Sequence, residues 1–193
     1  MDTDQAKLLT TISSFLEKHH IPYMITGAWS AIFYGRPRAS HDIDFVIELD
    51  NRDLQKIFGV FEKLKDEFLV QPESIKSAIS HCSMFNIIHL PTMLKIDFWI
   101  LTDDEFDQLR FKRRKKADIL DHSMEMATPE DTIIQKLKWY RMGQIEKHLV
   151  DAAFVYQIQN KNLDKKYLNL WVKKLKLEKY YQKLKKINLE EHL

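Results

Sequence analysis

The stretch Tyr23-Met-Ile-Thr-Gly27-Ala-Trp-Ser30-Ala-Ile-Phe-Tyr-Gly35-Arg-Pro-Arg38-Ala-Ser-His-Asp42-Ile-Asp44-Phe-Val-Ile-Glu48 decides how the rest of the chain is read. Tyr23 to Thr26 reads as a short apolar strand, Gly27 as a turn into a helix over 28–34, Arg36-Pro-Arg38 as a loop, and Asp42 as the start of a second strand. Alternate side chains of a strand leave the same face, with residues i and i+2 roughly 6.7 Å apart. Asp42 and Asp44 therefore point together, while Ile43 and Phe45 turn to the core. His41, one place earlier, points away from that face.

Two carboxylates so placed suit a hard divalent cation. Mg²⁺ takes oxygen ligands and is commonly held by one or two carboxylates plus substrate phosphates. An Asp-x-Asp pair alone also fits turn residues at a strand end. Two neighbours favour the first reading. A helix starting at Gly27-Ala28 offers unpaired N–H groups and a positive dipole end to phosphate. Downstream, Lys95-Ile-Asp97-Phe-Trp-Ile100 is another apolar strand with a projecting carboxylate. Three carboxylates on adjacent strands beside a phosphate-cradling turn make a phosphoryl-transfer site.

These motifs resemble the nucleotidyltransferase superfamily that includes DNA polymerase beta and the antibiotic nucleotidyltransferases, and within it the AbiE-type (AbiEii/AbiGii) toxins. Lys95-x-Asp97 is similar to that family's second motif, Asp131-Thr-Ile-Ile-Gln-Lys136 to its third, and Asp151 to its isolated fourth aspartate. The match runs from Tyr23 to Asp151. Two features depart from it: Gly27-Ala28 lacks the hydroxyl of the usual Gly-Ser turn unless Ser30 supplies it, and the loop before Asp42 is longer than in the AbiE pattern. That loop resembles the layout of aminoglycoside and lincosamide nucleotidyltransferases.

A chain of 193 residues is long enough for one α/β domain with a helical appendage. Its 45% hydrophobic and 30% charged content is that of an ordinary globular protein. The single cysteine, Cys82, forbids an internal disulfide and points to the cytoplasm. No apolar run reaches the roughly 20 residues that span a bilayer, and the acidic start is unlike a signal peptide, so no membrane partner is expected. A net charge of +2 does not by itself argue for nucleic acid.

Helical spacing of Leu8, Leu9, Ile12, Phe15 and Leu16 predicts a first helix over 6–19. Asn51 or Asp53 would open a crossover helix to Lys65. Phe68-Leu-Val70 suggests an edge strand, and 74–79 a short helix. Met84–Leu90 and Met93–Ile100 read as a β-hairpin that brings Asp97 beside the Asp42/Asp44 strand. Asp103–Arg110 is a helix with an acidic first turn, followed by the basic run Arg110–Lys116. Residues 119–127 suggest a last strand. Thr128-Pro129 starts a helix ending at Gly143, with Thr128 as N-cap and Asp131 at the capping-box position. Three more helices end the chain, the last two rich in lysine and interleaved with Trp171, Tyr180 and Tyr181; either the lysines form a solvated face with the aromatics packed inside, or the interleaved aromatics contact RNA.

The expected fold is α/β (α+β): a mixed-sheet nucleotidyltransferase core over residues 1–127 and a C-terminal helical lobe over 128–193 that closes the nucleotide cleft. The resemblance implies transfer of a nucleoside monophosphate from a nucleoside triphosphate to an acceptor hydroxyl, with Mg²⁺ or Mn²⁺ as cofactor. Asp42, Asp44 and Asp97 would be metal ligands, with Asp97 also orienting or deprotonating the hydroxyl. Gly27, Ala28, Ser30, Arg38, Lys95, Asp131 and Lys136 would bind nucleotide, Lys136 with a catalytic share. Arg36 and Arg38 could instead pair with acidic neighbours, Asp131 could simply cap its helix, and Lys136 could be a surface residue. As an AbiE-like toxin the protein would modify tRNA and be neutralised by a cognate antitoxin. The alternatives are an antibiotic nucleotidyltransferase and a non-catalytic nucleotide-sensing module.

Overall fold

A computed structural model describes residues 3–49 and 54–192, with the side chains of 3 and 54–56 left out of account. The chain forms two compact units, one of Met1–Thr26 with Ala39–Met126, the other of Gly27–Arg38 with Ala127–Leu193.

The first unit is built on a seven-stranded mixed sheet. Its strands are β1 (Tyr23–Thr26), β2 (Asp42–Ile47), β3 (Phe68–Leu69), β4 (Met84–His89), β5 (Lys95–Ile100), β6 (Lys115–Ile119) and β7 (His122–Met126), in the order β3-β4-β5-β2-β1-β7-β6. The hairpin β4–β5 forms as expected, and β5 lies parallel to β2, with Asp44 opposite Asp97 and Asp42 opposite Lys95. One face is apolar because the residues between the carboxylates are. Ile43, Phe45, Ile96, Phe98, Phe85 and Ile87 are all buried. Helices α1 (Thr3–Lys18), α3 (Leu54–Phe61) and α4 (Pro72–Ser80) belong to this unit. Phe61 of α3 meets Phe85 and Phe98 edge-on, with ring centroids 5.2 and 5.4 Å away, and Phe45 stacks on Phe98 at 5.6 Å. Such pairs add to the free energy of area burial. The expected opening of α3 at Asn51 or Asp53 lies outside the described residues.

The expected strand over 119–127 is instead the second arm of a hairpin. Lys115 and Lys116, the end of the basic run, begin the edge strand β6, and Leu120-Asp121 make the turn with φ of 50° and 59°. Two successive positive φ values define the type I′ turn that suits a two-residue hairpin. Leucine is an unusual occupant, which hides the turn in the sequence. Before β6, α5 (Glu105–Lys112) is capped by Asp104, whose carboxylate accepts from the Phe106 and Asp107 amides.

The second unit is helical: α2 (Gly27–Tyr34), α6 (Pro129–Gly143), α7 (Glu146–Gln159), α8 (Lys165–Lys174) and α9 (Glu178–Leu184). Gly27 has φ of 67°, a left-handed value that glycine adopts without Cβ strain. Gly35 ends α2 under tight packing. A Cβ there would stand 2.7 Å from the Ala31 carbonyl oxygen and 3.3 Å from side-chain atoms of Phe154 and Val155. Gly35→Ala is therefore expected to cost about 1–3 kcal/mol, read as a lower urea midpoint at unchanged slope. An unaltered midpoint would show that the helix end shifts freely.

Candidate active site

Alternation places Asp42 and Asp44 of β2 and Lys95, Asp97 and Trp99 of β5 on the face opposite the aromatic core. Asn86 of β4 is opposite Asp97, and Thr26 of β1 is opposite Asp44, so the row Asn86, Asp97, Asp44, Thr26 crosses four strands. Asp42 is exposed, Asp44 half-buried and Asp97 5% exposed. Lys95 Nζ lies 2.9 Å from Asp97 Oδ2, while Asp97 Oδ1 is buried without a hydrogen-bond partner. Burial pushes the Asp97 carboxyl above its ordinary value against the pull of Lys95, and the hydrogen bond to Asp97 raises the Lys95 pKa.

Among the described residues no three His, Cys, Asp or Glu side chains gather closely enough to hold a metal ion by themselves. The donors are nonetheless those a hard cation uses, since Mg²⁺ commonly binds through one or two carboxylates and takes its remaining ligands from substrate and water. The orphaned Asp97 Oδ1 is an acceptor left without a partner in a buried position, where an unsatisfied polar atom is costly. Oxygen donors on one face with one acceptor unspent fit such an ion.

The helical unit holds the other expected residues. Arg38 forks onto Asp151, with Nε donating to Oδ1 at 2.8 Å and a terminal nitrogen to Oδ2 at 2.7 Å. Lys136 Nζ donates to the same Oδ2 at 2.8 Å. Lys136 is 3% exposed, so it is no surface residue, and its burial places it with Asp151 rather than in solvent. Burial alone would raise the Asp151 carboxyl; the Arg38 hydrogen bonds and the Lys136 charge outweigh it and hold the group below the usual range. His148 is pushed down to about 4 by burial and then by the Lys136 charge, so it stays neutral near pH 7.

Asp131 is almost wholly buried. Thr128 Oγ1 donates to its Oδ2 at 2.7 Å and accepts its backbone N–H at 3.3 Å, and Tyr167 donates to Oδ1 at 2.6 Å. The capping role is therefore present, tied to α8 through Tyr167. Ser30, a candidate for the missing turn hydroxyl, is fully buried and donates to the Gly27 carbonyl at 3.2 Å. Arg36 lies over the Phe154 ring, 4.4 Å from its centroid. The pairing of Arg38 with Asp151 across 113 positions has no local signal. Asn86 and Trp99, by contrast, follow from the same alternation that groups Lys95 with Asp97.

Two arginines of the basic run are engaged internally. Arg110 is buried and paired with Asp107, and Arg114 lies over the Phe111 ring. In the final helices Trp171 and Tyr181 are buried, so these rings are not offered to bases, but the seven lysines at 173, 174, 176, 179, 183, 185 and 186 are exposed. The charge balance is uneven. The first unit has 14 Lys and Arg against 20 Asp and Glu, net −6, and the second 16 against 8, net +8.

No family model and no curated protein matches the chain in sequence. Solved structures do match. The solution structure of the antibiotic-resistance factor ANT(2'')-Ia has a TM-score of 0.62 at 15% identity, covering 100% of this chain and 98% of that one. An antigenic nucleotidyltransferase-like protein from Paracoccidioides brasiliensis has a TM-score of 0.56 at 16% identity, covering 95% and 93%. The lincosamide antibiotic adenylyltransferase LnuA, solved with lincomycin, has a TM-score of 0.51 at 16% identity, covering 79% and 96%. At these identities the likeness is one of fold: the chain has a nucleotidyltransferase fold. The narrower resemblance to AbiE-type toxins rests on the sequence motifs alone. Among the described residues no helix is long and apolar enough to cross a membrane.

Proposed function

We propose that the protein is a Mg²⁺- or Mn²⁺-dependent nucleotidyltransferase that moves a nucleoside monophosphate from a nucleoside triphosphate to a hydroxyl of RNA, with tRNA as the acceptor and with the partnership to an antitoxin that AbiE-type proteins imply. The observation that carries the chemistry is the carboxylate face of β2 and β5 with its unpartnered Asp97 Oδ1. Asp42 and Asp44 would hold the ion, which when bound would neutralise phosphate charge and lower the pKa of the acceptor hydroxyl. Lys95 pins Asp97 Oδ2 and so fixes the direction of Oδ1. Asp97, through its unpartnered Oδ1, would orient or deprotonate the acceptor hydroxyl. The hydroxyl oxygen then bonds to the α-phosphorus, and pyrophosphate leaves with the electrons of the broken P–O bond. Arg38 and Lys136, both held on the Asp151 carboxylate, would serve the nucleotide, Lys136 with a catalytic share.

For the acceptor, the +8 of the second unit supports a polyanion. Residues 161–186 alone hold ten lysines against Asp164 and Glu178. Offered radiolabelled ribonucleoside triphosphates one at a time with Mg²⁺, the protein should label total tRNA, and the labelling should fall steeply as salt rises, because phosphate contacts release counterions. A second reading is favoured by the matched antibiotic transferases, one of which was solved in complex with adenylyl-2''-tobramycin. Efficient labelling of an aminoglycoside or lincosamide with tRNA left unlabelled would replace the first reading with this one.

A further inference from the structure

Trp99 is the large aromatic side chain on the carboxylate face of β5. Ile96, Phe98 and Ile100 of β5 are buried, yet Trp99 keeps 38% of its surface exposed. Large aromatic side chains are usually well buried, and an exposed one beside polar groups offers a flat apolar face with a polar edge. Here the polar edge is engaged, because Nε1 donates to Asp44 Oδ1 at 3.3 Å. The indole is thereby tethered to a carboxylate of the candidate metal site while a large part of its surface stays open. Trp99 shares its strand and its face with Asp97, and Asn86 on β4 lies opposite Asp97. Met84 is opposite Trp99 on the same strand. The open ring thus adjoins the 5%-exposed aspartate whose Oδ1 lacks a partner, on the side of β2 away from β1.

We propose that Trp99 is the stacking platform for the acceptor: the terminal base of an RNA strand lies on the indole face, and this brings the terminal ribose hydroxyl to Asp97 Oδ1. This rests on the reading of the protein as an RNA nucleotidyltransferase and adds the acceptor subsite to it. Stacking on an aromatic side chain tolerates any base, since every base has a π-face. The subsite would therefore impose a single-stranded end without imposing a sequence. The Asn86 amide is placed to hydrogen-bond the same terminal nucleotide.

The test uses the full chain with Trp99→Ala and Trp99→Phe. Loss of one stacked base is worth roughly tenfold to a hundredfold in affinity, so Trp99→Ala should raise the KM for tRNA by about that factor and leave the KM for nucleoside triphosphate within twofold. Trp99→Phe keeps a ring and should restore most of the acceptor KM. A KM change confined to the triphosphate, or none, overturns the proposal. Binding is read separately from turnover. A single-stranded ribo-oligonucleotide added without triphosphate should quench the fluorescence that distinguishes wild type from Trp99→Phe. Quenching without any labelling of RNA would keep the platform and reject the catalytic reading. No quenching by RNA, or quenching only by an aminoglycoside or lincosamide, would reject the platform for RNA.

Discussion

Asp42→Asn and Asp44→Asn are each expected to lower nucleotidyl transfer at least a thousandfold, about 4 kcal/mol of transition-state stabilisation, with the fold intact. Each replacement removes a charge that a divalent ion needs, and amide oxygens are poor substitutes for carboxylates in a site with few protein ligands. The fold should tolerate both changes. Asp42 is exposed, and an asparagine at 44 still presents an oxygen to the Trp99 indole. Pyrophosphate release measured beside a melting curve separates the two effects. A variant that keeps wild-type turnover would dismiss the carboxylate face as the reacting centre. One that loses turnover only by unfolding would assign these residues to stability.

The largest stability effect is expected at Asp151. Its carboxylate is the counter-ion for both Arg38 and Lys136, which are 12% and 3% exposed. Asp151→Ala leaves two cations without it in a poorly hydrated place, a change of about 3–5 kcal/mol for a broken buried pair and a fall in melting temperature on the order of 10 °C for a chain of this size. Lys136→Ala spares the fork of Arg38 on Asp151 and should destabilise less. It should still slow turnover about tenfold if its charge serves the triphosphate. Acid provides a check on sign. The Asp151 pKa is depressed in the folded state, so its stabilisation is complete above the ordinary carboxylate range near 4 and is lost as pH falls through the lower folded value. The gap between wild type and Asp151→Ala should persist to about pH 4 and narrow only below it.

Most of the sheet was legible because strand alternation is strict. Ile43, Phe45, Ile96 and Phe98 announce one buried face, so Asp42, Asp44 and Asp97 must share the other, and the observed register agrees. The start of α6 was equally plain from Thr128-Pro129. What could not be read depends on contacts distant in sequence or on backbone conformations ill-suited to the residue. Arg38 and Asp151 are 113 positions apart, and nothing local predicts that the loop arginine turns to a helix aspartate. Leu120 adopts a left-handed conformation that its side chain does not advertise, and this concealed the β6–β7 hairpin. Nothing in the basic run Arg110–Lys116 signals that Arg110, in α5, is buried or that Arg114, between α5 and β6, lies on an aromatic ring.

The two outermost strands carry a consequence for how this sheet meets other chains. An open sheet border exposes unpaired N–H and C=O groups that can recruit a foreign strand. Here one border is β3, only two residues long, and the other is β6, which begins with exposed Lys115 and Lys116. An intruding strand would find too few hydrogen-bonding positions on the first and would have to bring its backbone past two ammonium groups on the second. The buried Ala117 and Ile119 of β6 can thus serve the core without making that border a seed for cross-β growth.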